Sequence, residues 1–253
     1  MYNYNLAILI TTFLRDKLLY KTLQTIVDYY TTDCIVLIAD QGYSDDEKII
    51  NIDYVQAQIP CEYHRLPFDC GLSYARNYLV NRAHELNIPY ILMSADSIKF
   101  TQKCDFSIMY RYLEITKENG LIGFELEGSK CSWEYNLVVD KKGIHFIQPT
   151  LCTSFEQTQF LHCEITRNIF LAKTDSMLNL YDNEMKLAGH ELAFIEYKKR
   201  GYKVFWTDTL KFKRIVNSNT KEYEDYRKRF KDYRKLLQEK LDIAGWVILP
   251  HKK

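Results

Sequence analysis

The chain has 253 residues, of which 47% are hydrophobic and 26% charged; that composition supports a sizeable core and excludes disorder as the main state. Lys and Arg number 34 against 33 Asp and Glu, a formal net charge of +1, which excludes a polyanion binder acting through bulk charge but leaves room for a local basic patch. Nine Gly and five Pro exclude collagen-like and linker-rich chains.

Leu6–Ile10 is a continuous apolar run, as expected of a parallel strand covered on both faces. Residues 17–30 place Leu18, Leu19, Thr22, Leu23, Ile26, Val27 and Tyr30 on one helical face. Cys34–Ala39 reads as a second buried strand ending in Asp40, and Tyr63–Leu66 as a short third. A helix follows over 72–86 with Ala75, Leu79, Val80 and Ala83 on one face. Tyr90–Met93 is a further buried strand ending at Ser94-Ala95-Asp96. This alternation predicts an α/β fold with a mostly parallel central sheet flanked by helices.

The second half predicts strands at 122–126 and 136–140, a turn at Lys141-Lys142-Gly143 and a returning strand at 144–147. Strand over 160–172 and a short helix over 174–180 come next. Gly189 precedes a helix over 190–200, which Gly201 ends. Late strands are expected at 203–206 and 210–216, and one long amphipathic helix at 221–241. The organisation expected is a domain over 1–216 and a C-terminal helical extension over 217–253. That helix is a candidate to pack on its own domain, to form a homodimer seam, to rest on a membrane surface, or to contact a polyanionic acceptor.

Seven cysteines, an odd number with no C-x-x-C pair, argue for reduced thiols rather than a disulfide framework or zinc site. The N-terminal apolar run is too short for a signal sequence or a span. A cytoplasmic protein, peripheral at most to the inner face of a membrane, is the expectation. The 20 tyrosines fit a surface that meets sugars and equally fit a genome-wide compositional bias.

In an open parallel sheet, ligands bind beyond the carboxyl ends of the strands. Thr11, Thr12 and Arg15 follow the first strand, Asp40 and Gln41 the second, and Ser94 to Ser97 the fourth. Neither G-x-G-x-x-G nor G-x-x-x-x-G-K is present, so an ordinary dinucleotide or ATP loop is excluded.

Within this frame, Ile10-Thr-Thr-Phe-Leu-Arg15, Ile38-Ala-Asp40 and Leu66-Pro-Phe-Asp-Cys-Gly-Leu-Ser-Tyr-Ala-Arg-Asn77 form an ordered set. It continues through Tyr90-Ile-Leu-Met-Ser-Ala-Asp96, Asn168 to Asp175, Tyr181-Asp182 and Gly189-His-Glu191. The set resembles family 2-type glycosyltransferases of the GT-A (Rossmann-like) fold, especially the β-1,4-N-acetylgalactosaminyltransferase group, over about residues 6–215. The resemblance implies an inverting transferase that moves a sugar from a UDP-sugar donor to a hydroxyl of a glycan acceptor, as in bacterial surface polysaccharide synthesis. It implies that Thr11, Thr12 and Arg15 line the nucleotide cleft and that Asp40 accepts a hydrogen bond from the base. Gly71 would admit the nucleotide to the backbone, Arg76 would reach base or phosphates, and Asn77 would support that turn. The alternative for Arg76 and Asn77 is an exposed helix face. Glu191 would be the general base, against a simple helix-dipole role, and His190 would hold diphosphate or acceptor.

The metal motif departs from the family. Where Asp-x-Asp is expected, the chain has Ser94-Ala95-Asp96-Ser97, leaving Asp96 as the sole carboxylate for Mn²⁺ or Mg²⁺, and a hard dication wants several oxygen ligands. The family's late His is replaced by Lys213. No divalent metal is therefore expected to be required, with Lys213 neutralising the diphosphate unless it is an edge-strand surface lysine. Competing readings are a nucleotide-sugar-binding protein without turnover, a transferase acting on modified bases of viral DNA, and a nucleotidyltransferase. Nucleic acid is otherwise not an expected partner.

Overall fold

The computed structural model of the chain describes residues 4–31, 33–128, 133–216 and 220–248. The elements run β1 (Leu6–Thr12), α1 (Asp16–Asp28), β2 (Cys34–Asp40), α2 (Asp46–Gln56), β3 (Cys61–Arg65), α3 (Leu72–Glu85), β4 (Tyr90–Ala95) and β5 (Ile98–Lys99). They continue with α4 (Ser107–Glu114), β6 (Asn119–Glu127), β7 (Asn136–Asp140), β8 (Gly143–Ile147), β9 (Cys152–Phe155), β10 (Thr158–Cys163), β11 (Phe170–Lys173) and a 3₁₀ turn at Asp175–Met177. The last are α5 (His190–Lys199), β12 (Lys203–Arg214), α6 (Lys221–Lys228), α7 (Phe230–Leu241) and β13 (Val247–Ile248).

The main sheet has the order β3-β2-β1-β4-β11-β6-β12-β10-β9, with β5 on β12. β1 pairs in parallel with both β2 and β4, Thr12 opposite Asp40 and Thr11 opposite Ala95. The connections therefore leave β1 in one direction toward β2 and β3, and in the other toward β4. That reversal opens a crevice at the carboxyl ends of β1, β2 and β4. β11 runs antiparallel between β4 and β6, while β12 is parallel to β6. The mostly parallel α/β sheet expected from the sequence is thus present, extended by antiparallel strands.

Alternation along β1 feeds both sides of the sheet. Ala7 and Leu9 pack with Ala75, Leu79 and Val80 of α3 and with Phe194 of α5. Leu6, Ile8 and Ile10 pack with Leu19 and Leu23 of α1, Ile52 of α2 and Met109 of α4. A strand buried on both faces must be apolar throughout, and every residue of β1 and β2 is buried.

Several boundaries differ from the sequence reading. Residues 160–172 form two strands, because β10 joins β12 whereas β11 inserts between β4 and β6. The two late strands are one, β12, with an irregular register between Thr207 and Lys211. The expected long tail helix is broken at Arg229, between α6 and α7. The tail also folds back on the body. Leu237 of α7 is fully buried in the α3–α5 core, and β13 pairs with β8 in the small β7–β8 sheet. Six cysteines are free thiols, and Cys131 lies outside the described residues. Among the described residues, no helix is long and apolar enough to cross a membrane.

Candidate active site

The crevice holds two adjoining cavities. One, of about 210 Å³, is lined by Thr11, Thr12, Arg15, Gln41, Gly71, Arg76 and Asp96 together with Tyr223, Tyr226, Arg227 and Arg229 of the tail. The other, of about 440 Å³, is lined by Arg76, Trp133, Asn168, Gly189, His190, Glu191, Arg214, Arg227 and Phe230, among others. Arg76, Leu72, Ala95, Asn168, Leu187 and Arg227 are common to both, so the two are halves of one cleft.

Arg76 stands at their junction. It is 3% exposed, its guanidinium lies 5.1 Å from the centre of the Tyr181 ring, and its Nε has no hydrogen-bond partner. Burial pushes its pKa down from the usual guanidinium value. Tyr181 is held in place by Asn77, whose Nδ2 donates to the Tyr181 carbonyl at 2.6 Å and whose Oδ1 accepts from the Tyr181 N–H at 3.1 Å. The pair that could be read as an exposed helix face is buried, 3% for Arg76 and 7% for Asn77.

Glu191 sits in the first turn of α5, 3% exposed, with Oε2 lacking a hydrogen-bond partner. Burial pushes its pKa up to about 7, opposed by its own backbone N–H, the charge of Arg234 and the nearby Trp246 indole. The Nε2 of His190 lies 2.7 Å from the Thr166 carbonyl, which can only accept, so Nε2 carries the proton and Nδ1 is a bare acceptor without a partner. Burial and the nearby Arg76 push the His190 pKa down to about 3. The imidazole is therefore neutral. With Nε2–H engaged by the Thr166 carbonyl, Nδ1 is the atom left to receive a hydrogen bond from a hydroxyl.

Gly71 caps α3 with φ +101°, and a Cβ there would lie 2.6 Å from Lys186 Cγ and 2.8 Å from Lys186 Cα. The glycine is thus required by the close pass of the 181–189 loop. Its N–H donates to Gln41 Oε1 at 2.7 Å. Because the partner is a backbone N–H, the Gln41 amide orientation is fixed, and its NH₂ end is the one left for a ligand.

Two expected residues are placed differently. Asp40 is absent from the cavity walls. Its Oδ2 accepts from Lys48 Nζ and Tyr63 Oη, both at 2.7 Å, and its Oδ1 from the Gly42 N–H at 2.8 Å. The protein's own donors occupy it, and its neighbour Gln41 reaches the cleft instead. Lys213 is paired with Glu127 at 3.1 Å and more than half exposed, whereas Arg214 lines the larger cavity. Phe212 is buried, and the side chain that reaches the cleft is that of Arg214, two positions on along the same strand face.

At the end of β4, Asp96 is 4% exposed. Its Oδ2 accepts from Thr12 Oγ1 at 3.0 Å, and its Oδ1 lies 3.1 Å from Arg15 NH1. Burial pushes its pKa up to about 6, against the pull of Arg15 and Thr12. Among the described residues, no group of three or more His, Cys, Asp or Glu could hold a metal ion. One carboxylate, Asp96, stands where the family's paired carboxylates are expected, and it is already paired with the Arg15 guanidinium.

The tail's part in the site goes beyond the sequence reading. Arg229 donates from NH1 and NH2 to Asp69 at 2.8 and 2.7 Å, Tyr226 stacks edge-on to Phe13 and Phe68, and the Arg15 guanidinium lies over the Tyr223 ring. The interleaved Tyr and Phe of 221–241 are the available signal in the sequence, but only tertiary packing places them over the cleft.

No protein-family model matches the chain, and no curated protein matches its sequence. Solved structures match it in fold. Residues 1–349 of Staphylococcus aureus TarS in complex with UDP-GlcNAc align with TM-score 0.62 at 11% identity, covering 92% of this chain and 65% of that one. The mannosyltransferase PcManGT from Pyrobaculum calidifontis, in complex with GDP-Man and Mn²⁺, aligns with TM-score 0.61 at 11% identity, covering 90% and 61%. GalNAc-T7 with UDP, GalNAc and Mn²⁺ aligns with TM-score 0.62 at 11% identity, covering 96% and 55%. The fold is that of the GT-A glycosyltransferases, and the chain spans 55% to 65% of the length of these chains.

Proposed function

We propose that the protein is an inverting glycosyltransferase that transfers a hexosyl or N-acetylhexosaminyl group from a UDP-sugar to a hydroxyl of a glycan acceptor. The observation that carries this reading is Glu191: a buried carboxylate with an unpartnered oxygen and a pKa of about 7, on the same cavity as the buried cation Arg76. A base poised near neutral pH beside an anion site is what direct displacement at an anomeric carbon needs.

The uridine lies in the smaller half, against Thr11, Thr12 and the Gln41 amide, and Arg76 meets the diphosphate. The sugar and acceptor occupy the larger half. Glu191 takes the proton of the acceptor hydroxyl as its oxygen bonds to the anomeric carbon. The bond from that carbon to the diphosphate oxygen breaks, and its electron pair leaves with UDP. His190 Nδ1 accepts a hydrogen bond from a sugar or acceptor hydroxyl. Support comes from the UDP-GlcNAc, UDP and GDP-Man complexes of the proteins that share the fold.

Two of the solved structures that share the fold, PcManGT and GalNAc-T7, contain Mn²⁺; here the one carboxylate after β4 is paired with Arg15, and no step is routed through a metal. The loss of the second carboxylate favours one other reading, a nucleotide-sugar-binding protein without turnover. UDP release from a panel of UDP-sugars, with and without glycan acceptors, separates them. Acceptor-dependent release supports transfer, binding without release supports the second reading, and neither rejects both.

A further inference from the structure

The cleft carries an imbalance of charge that its own residues do not cancel. Asp69 is engaged by Arg229 and Lys186, and Asp96 by Arg15. Arg76, Arg214 and Arg227 also line the larger cavity, and among the described residues none of the three makes an ion pair with a carboxylate. Arg76 is 3% exposed and has an orphaned Nε. A buried cation without a counter-ion is strongly unfavourable unless an anion arrives. The three come from separate elements, α3, the end of β12 and α6, so no local helix or strand pattern accounts for their meeting.

We propose that Arg214 and Arg227 join Arg76 in taking the place of the divalent cation, so that guanidinium groups bind the diphosphate and neutralise it as it leaves. This rests on the reading that a nucleoside diphosphate sugar occupies the cleft. Breaking the bond to the anomeric carbon places one further negative charge on the departing diphosphate. Groups already aimed at that oxygen stabilise the transition state without reorganising. Arginine is suited to such a role, because its planar fork matches phosphate oxygens and it stays charged at any working pH. Arg227 lies in the last turn of α6, just before Arg229, which Asp69 grips through two nitrogens. Docking of the tail on the nucleotide half thereby delivers Arg227 to the diphosphate, and the cation becomes part of the chain instead of a diffusible ion.

The test is calorimetric titration of UDP and of uridine into the full-length wild type, Arg214→Gln and Arg227→Gln, each in EDTA and again in Mn²⁺. Both arginines are exposed and line the cavity, and unchanged uridine binding reports that each variant is folded. UDP is expected to bind in EDTA with an affinity that Mn²⁺ changes less than about two-fold. Each substitution should weaken UDP roughly ten-fold, in line with loss of one charged hydrogen bond, and leave uridine unchanged. UDP binding that EDTA abolishes and Mn²⁺ restores overturns the inference, as do variants that bind UDP like the wild type. Absence of UDP binding under both conditions overturns the donor reading itself, so the two failures are distinguishable.

Discussion

Asp69 and Arg229 form a two-pronged ion pair, at 2.7 and 2.8 Å, across 160 residues of sequence. It ties the break between α6 and α7 to the loop before α3, and so holds the tail across the smaller half of the cleft. Burial works against ionisation of Asp69, but the Arg229 bonds and the charges of Arg229 and Lys186 outweigh it, so the pKa is lowered. A carboxylate whose folded pKa is depressed contributes stability above its unfolded pKa of about 4 and loses it as pH falls through the folded value.

Arg229→Ala should therefore cost about 1 kcal/mol at pH 7, as for a well-formed but partly exposed pair, and less in strong acid. Limited proteolysis checks the structural side of this: cleavage within 220–230 should be faster in the variant than in the wild type. Equal cleavage rates would mean that the pair does not hold the tail.

Glu191 yields a prediction in which stability and activity move in opposite directions. Its pKa is raised to about 7, above an unfolded value of about 4.3. The folded state therefore holds an extra proton between these values, and stability falls as pH rises through that window, remaining low above about pH 7. Glu191→Gln should raise Tm at pH 8 relative to the wild type and change it little at pH 4. Transfer should fall roughly 10²- to 10⁴-fold, as for loss of a general base, while UDP affinity stays the same. In the wild type, the rate should climb with pH through about 7. A Glu191→Gln protein with near-normal turnover leaves the acceptor proton to another group.

Gly71→Ala probes the packing that shapes the cleft. The φ of +101° and the approach of Lys186 Cα to 2.8 Å from a built Cβ leave no relaxed position for a methyl group. Strain of roughly 1–3 kcal/mol is expected, lowering Tm by roughly 2–10 °C. An unchanged melting temperature would show that the 181–189 loop yields at no cost.

How legible each element is in the sequence follows from how it is buried. β1, β2 and β4 are apolar runs because both faces of the sheet are covered, and α1 shows a clean stripe because one side meets the core. α2 is hidden because its pattern is scrambled: Ile50 and Tyr54 are exposed, whereas Lys48 is buried against Asp40 and Asp16. β12 reads as two strands because Thr207, Asp208 and Thr209 interrupt its apolar residues at the irregular register. In the site, residues at strand ends and helix starts, such as Thr11, Arg76 and Glu191, can be found from topology and motif. Arg214, Arg227 and Arg229 cannot, because their meeting depends on a tail that folds back over the cleft. Asp40 falls in the right turn, but Lys48 and Tyr63, distant in pattern, decide which way it faces.

The central claim is that Arg76 marks a nucleotide-diphosphate site, and calorimetric titration of UDP into wild type and Arg76→Gln addresses it directly. Saturable binding of one UDP per chain is expected for the wild type, and binding at least about ten-fold weaker for the variant. No binding by the wild type, or equal binding by both proteins, would contradict the claim.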